Sequence, residues 1–153
     1  MTFAKLAGLE ERFADVKGVR MRYFVGGDGP PLVLIHGLGG AAANWTELAS
    51  ILAPRHRLLV PDLPGHGGSS ALPAISGLEP YADRVALVAG REQMLPAPVV
   101  GHSLGGLVVL RLAIRRPDAV SAVILAGAAG LSIGNVWGRD RKSVVRERVC
   151  LYV

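Results

Sequence analysis

At 153 residues, half of them hydrophobic, the chain has the length of one domain and enough apolar material to bury a sizeable core. No apolar run reaches bilayer length, and Glu10, Glu11 and Asp15 stand where a signal peptide would have its apolar centre, so the sequence argues against membrane and secretion; a cytoplasmic location is the expectation, and the single cysteine, Cys150, fits it. The net charge of +5 is no phosphate-binding footprint, because Arg139, Arg141, Lys142, Arg146 and Arg148 against Asp140 and Glu147 supply +3 of it and no basic face with interleaved aromatics appears elsewhere.

Along the chain, apolar runs of strand length alternate with longer segments of helical period, as in a parallel sheet with crossover helices. The stretch from Gly18 to Gly27 alternates Val19, Met21, Tyr23 and Val25 against Arg20 and Arg22, the pattern of a half-buried strand, and Gly27-Asp28-Gly29-Pro30 is a turn. Pro31 to Gly37 is continuously apolar and predicts a central strand. A helix is expected over Ala41 to Pro54 with Trp45, Leu48, Ile51 and Leu52 on one side. A buried strand and its loop follow at His56 to Gly65, then a helix between Ile75 and Gln93 with Leu78, Tyr81, Val85 and Val88 at helical spacing. Ala97 to Ser103 predicts a strand, Leu104 to Arg115 a helix ended by Pro117, and Ala119 to Gly130 a further strand with a glycine-rich loop. Residues 139–153, basic and unlike the body in style, are expected to be an atypical tail foreign to the fold.

Gly101-His102-Ser103-Leu104-Gly105 fits G-x-S-x-G between a strand and a helix, the context that gives this motif meaning. A serine on so sharp a turn takes strained backbone angles, and the flanking glycines are required because a Cβ there would strike the neighbouring strand or helix. The turn lifts the hydroxyl above the carboxyl edge of the sheet, and the helix amino terminus offers free N–H groups to an oxyanion.

Four blocks then resemble the α/β-hydrolases in the family's order: Leu32 to Gly40, Val60 to Ser69, Val99 to Gly106 and Val120 to Gly127. The resemblance implies an α/β fold, a mostly parallel sheet with helices on both faces, here as a partial domain over residues 1–138 that stops after about the sixth strand. It implies Ser103 as nucleophile and the backbone N–H groups of Leu38 and Leu104 as the oxyanion hole. Asp62 and His66 correspond to the family's structural loop. A serine at 103 speaks against the dehalogenase and epoxide hydrolase branches, which attack with a carboxylate. The implied activity is esterase-like acyl transfer on a small carbonyl substrate.

The triad needs a base and an acid, which the family places after the serine. No histidine follows Ser103 here, and the acids that do are Asp118, on the wrong edge of the sheet, and Asp140 and Glu147 in the tail. His36 reads as a structural histidine, His102 as pointing away from its neighbour, and His56 as solvated. A weak or inactive serine hydrolase is therefore weighed against a non-catalytic scaffold binding a small apolar ligand or a partner protein. The strand around Ala122 to Ala126 is expected to be an open apolar edge. No metal cluster or dinucleotide fingerprint occurs, since Gly37-Leu38-Gly39-Gly40 is not G-x-G-x-x-G, so no cofactor is expected.

Overall fold

Continuous apolar runs at Pro31–Ile35 (β3), Arg57–Pro61 (β4), Ala97–His102 (β5) and Val120–Ala126 (β6) can be buried only if both faces of a sheet are covered, and they form its parallel centre. The computed structural model describes residues 6, 8–74, 76–128 and 149–152, the last four by their backbone alone. Two strands, Glu10–Val16 (β1) and Val19–Gly26 (β2), make an antiparallel hairpin, and β2 continues antiparallel onto β4. With Val149–Tyr152 (β7) the sheet has seven strands in the order β1-β2-β4-β3-β5-β6-β7.

Period-two alternation then divides the core into two layers. Val33, Ile35 and Leu59 point to one face, where Val85 and Val88 of α2 (Glu79–Arg91) and Val108 and Leu112 of α3 (Leu104–Arg115) pack against them. Leu32, Leu34, Leu58 and Val60 point to the other, covered by Ala42 and Ala49 of a 3-10 turn (Ala42–Trp45) and α1 (Thr46–Leu52). Helices on both faces of a mostly parallel sheet are the arrangement expected. Among the described residues no helix is long and apolar enough to cross a membrane.

The polar segment Glu10–Val16 is a strand, β1, for which no apolar run set up an expectation. Three expectations need correction. Arg22 is buried, 4 % exposed, because the loop after β4 lies over its face of β2, with Asp62 Oδ2 2.6 Å from its Nε and Gly68 packed against its side chain. Of the apolar side expected for the α1 segment, Trp45 and Leu52 pack against the core beside the buried Ala49, while Leu48 and Ile51 are exposed. The edge at β6 is not open, since residues 149–152 pair with it in parallel from Val123↔Val149 to Ala126↔Tyr152. The boundary expected at 138 lies outside the described residues, but these four residues of the tail belong to the sheet.

A second buried polar group appears where the carboxyl end of α2 meets the hairpin. Glu92, 8 % exposed, accepts Tyr23 Oη–H at 2.7 Å and Arg12 Nη1–H at 2.6 Å. Burial, with the hydrogen bond to Glu92 behind it, pushes the Tyr23 hydroxyl up to about 12. The contact fastens β1 and β2 to the helix layer.

Candidate active site

The carboxyl ends of β3, β4 and β5 release three loops on one edge of the sheet, and each contributes to the same place. The loop after β5 is a single residue, Ser103, at φ 51° and ψ −118°, a conformation a side chain rarely adopts. Its N–H donates to Ala126 O of β6 at 3.1 Å and its carbonyl accepts from Gly106 N–H at 3.0 Å, so strand and helix ends both hold it. The glycines behave as expected. A Cβ on Gly101 would lie 2.5 Å from Gly105 O of α3, and one on Gly105 would lie 2.5 Å from both Ile35 O and His36 O of the β3 end. The serine is half-buried, and Leu104 opens α3, where its N–H has no partner within the helix.

From β3 comes the turn Gly37-Leu38-Gly39-Gly40, closed by Gly40 N–H to Gly37 O at 3.1 Å, with Gly39 at φ 70°. It lies against the elbow, for a Cβ on Gly37 would sit 3.0 Å from Ser103 Cβ and 3.1 Å from His102 Nδ1. The Leu38 side chain is 77 % exposed. Thus the structure brings Leu38, Leu104 and Ser103 to one edge. His102 is exposed, with its ring beside Gly37.

The loop after β4 locks the β3 loop in place. Asp62, wholly buried, accepts Ala42 N–H at 2.7 Å through Oδ1, and Gly68 N–H at 2.8 Å and Arg22 Nε–H at 2.6 Å through Oδ2. Ser69 Oγ accepts Arg22 N–H and donates to Asp62 O, each at 2.8 Å. Asp62 therefore caps the helical segment after the β3 loop and joins it to β2. Gly68 is demanded by this cluster, because a Cβ there would lie 2.6 Å from Arg22 Nε. The sequence pointed to Asp62 as structural but gave no sign of Arg22.

His36, 1 % exposed, completes the connection: Leu63 N–H donates to its Nε2 at 2.9 Å, so Nδ1 carries the proton and donates to Gly37 O at 2.8 Å. His66 stacks obliquely at 5.2 Å, its Nδ1 at 3.0 Å from Pro64 O. His36 is thus a satisfied core histidine, as expected. His56 is half-buried where solvation was expected; its Nδ1 is buried and has no hydrogen-bond partner among the described residues. Asp118 lies at the amino end of β6, exposed and 3.4 Å from Arg116 Nε, on the far edge of the sheet from Ser103.

Burial holds the His36 imidazole below its ordinary value of 6.5, opposed by its bond to Gly37 and lowered further by nearby His66. A histidine depressed in the folded state binds its proton more readily when unfolded, so its contribution is fully present above pH 6.5 and is lost as pH falls through the folded value. The urea midpoint of the wild-type chain is expected to drop on going from neutral pH toward pH ~5, and Asp62 and His66 face the same ring. The drop should be smaller in His36→Gln, which has nothing to titrate there.

The profile of the alpha/beta hydrolase fold family matches residues 30–147. The chain belongs to that family. Among curated relatives it is 42 % identical over 120 residues to the dihydrolipoyllysine-residue acetyltransferase component of the acetoin cleaving system of Cupriavidus necator, covering 78 % of this chain and 32 % of that protein. It is 41 % identical over 103 residues to the pimeloyl-[acyl-carrier protein] methyl ester esterase of Chromobacterium violaceum, covering 67 % and 39 %. A solved membrane phospholipase A, described as a bacterial virulence factor, superposes with a TM-score of 0.77 at 35 % identity, covering 83 % of this chain and 42 % of that one. The chain spans about a third of the length of the first curated relatives it matches.

Proposed function

We propose that this α/β-hydrolase chain carries the nucleophile and oxyanion half of a serine hydrolase acting by acyl transfer on an ester or related small carbonyl substrate. Ser103 Oγ attacks the carbonyl carbon, and the amides of Leu38 and Leu104 take the charge that develops on its oxygen. The observation that carries this is the backbone of Ser103 at φ 51°, ψ −118°, seated against Gly37 at the carboxyl edge of the sheet. Strain of this kind persists only where the surroundings enforce it, and here the hydrogen bonds to Ala126 and Gly106 and three crowded glycines do so. An esterase and a phospholipase A among similar proteins support a carbonyl substrate.

The second reading, a non-catalytic scaffold holding a small apolar ligand or partner protein, is favoured by one fact: among the described residues no histidine is hydrogen-bonded to Ser103 Oγ, and His36 spends both ring nitrogens on Gly37 and Leu63. Incubation with a fluorophosphonate probe separates the two. The esterase reading expects phosphonylation at Ser103, located by peptide mass spectrometry and abolished in Ser103→Ala. An oxyanion hole without its base still gives about 10³–10⁴-fold over water, so the reaction is followed for hours. Absence of label on Ser103, or label that persists in the alanine variant, gives the scaffold reading.

A further inference from the structure

The carbonyl of Gly37 and the N–H of Leu38 belong to one planar trans peptide unit and so point in opposite directions. Whatever fixes the carbonyl aims the amide. Gly37 O accepts two hydrogen bonds, from Gly40 N–H at 3.1 Å within its own turn and from His36 Nδ1–H at 2.8 Å. The second is available to a neutral imidazole only in the tautomer with the proton on Nδ1, and that tautomer is imposed from outside the loop: Leu63 N–H, at 2.9 Å, leaves Nε2 no role but acceptor. Leu63 is itself held, because Asp62 beside it is fastened to Ala42, Gly68 and Arg22.

We propose that His36 is a positioning residue for the oxyanion hole: the tautomer dictated by the Leu63 amide sets the plane of the Gly37–Leu38 peptide and thereby aims the Leu38 N–H beside Ser103. This rests on Leu38 being an oxyanion donor, and it assigns His36 a task separate from holding two loops together. The two ring nitrogens divide the tasks, one gripping the β4 loop and the other orienting the peptide. Substitutions can therefore separate them. The amide of asparagine reaches the Nδ1 position and can donate to Gly37 O; the amide of glutamine reaches the Nε2 position and can accept from Leu63 N–H.

The test uses the ¹⁵N-labelled full chain as wild type, His36→Asn and His36→Gln. In the wild type, two-bond ¹H–¹⁵N correlations are expected to show the Nδ1–H tautomer. The Leu38 amide resonance is expected to stay near its wild-type position in His36→Asn and to move in His36→Gln. Phosphonylation of Ser103 by the fluorophosphonate is expected to be slower in His36→Gln than in His36→Asn by about tenfold to a hundredfold, less than the 10²–10³ that follows complete loss of a donor, whichever variant melts lower. An Nε2–H tautomer, or a Leu38 resonance that moves equally in both variants, overturns the proposal. If the wild type takes no label at Ser103 the nucleophile reading falls, while the tautomer and the Leu38 resonance still decide the role of His36. If neither variant folds, the wild-type tautomer decides it.

Discussion

Replacing Asp62 with alanine is expected to remove about 3–5 kcal/mol of folding stability, the cost of taking one partner from a buried ion pair. The side chain is fully buried and 2.6 Å from the Arg22 guanidinium, which is itself 5 % exposed. Exposed pairs in the same molecule, such as Arg116 with Asp118, belong to a different class and are worth ~0–1 kcal/mol. What raises Asp62 above a single ion pair is its other contacts: the substitution also strands the amides of Ala42 and Gly68, each a buried or half-buried donor. Against a typical total of about 5–15 kcal/mol, this loss is a large share of the folding stability. Urea denaturation followed by far-ultraviolet circular dichroism measures it. Arg22→Met gives the ranking, because it leaves the carboxylate with both backbone donors, and its loss should be the smaller. Equal losses would mean that the ion pair alone, rather than the junction of β2, the β4 loop and the α1 segment, sets the energy.

That junction also explains where sequence reading succeeds and where it stops. The central strands β3 and β5 and helix α3 were legible because burial on both faces forces unbroken apolar runs, and Leu104–Arg115 is bounded by the elbow before it and a proline after it. The elbow was legible because close backbone approach leaves glycine as the only residue that fits, so Gly101 and Gly105 mark the site in one dimension. The hairpin was half legible. Val19, Met21, Tyr23 and Val25 alternate as a strand with one wet face would, and nothing local reveals that the β4 loop lies over the other face and buries Arg22. Tyr23 and Glu92 lie 69 residues apart and Asp62 and Arg22 lie 40 apart, so these polar pairs exist only through topology. The strand at 149–152 was hidden for a related reason. Four residues carry little periodicity, and their place in the sheet is set by β6, whose backbone groups they pair.

Gly105→Ala sets two magnitudes against each other within one helix. By helix propensity alone the change is favourable, by at most the ~0.8–1 kcal/mol of a helix interior, since Gly105 is the second residue of α3. At Gly105 the added methyl would lie 2.5 Å from the carbonyl oxygens of Ile35 and His36, main-chain atoms that no rotamer change can move aside. Overpacking of this kind costs about 1–3 kcal/mol, and a backbone obstacle puts it at the upper end, so the net expectation is a destabilisation of about 2 kcal/mol. The remaining strain is relieved by α3 shifting off β3, which carries the Leu104 amide away from the Gly37 turn. Phosphonylation of Ser103 should consequently fall even in the fraction that stays folded. Gly90, near the end of α2, is the matched comparison: it is helical and exposed, and a Cβ there would meet nothing within 4 Å. Gly90→Ala should therefore keep the propensity gain and stabilise the chain by about 0.5–1 kcal/mol. Urea midpoints that move in opposite directions for the two alanines confirm that contact with β3, rather than helix formation, governs residue 105. Midpoints that rise together would show α3 standing clear of the β3 end, and the close packing that seats Ser103 beside Gly37 would lose its support.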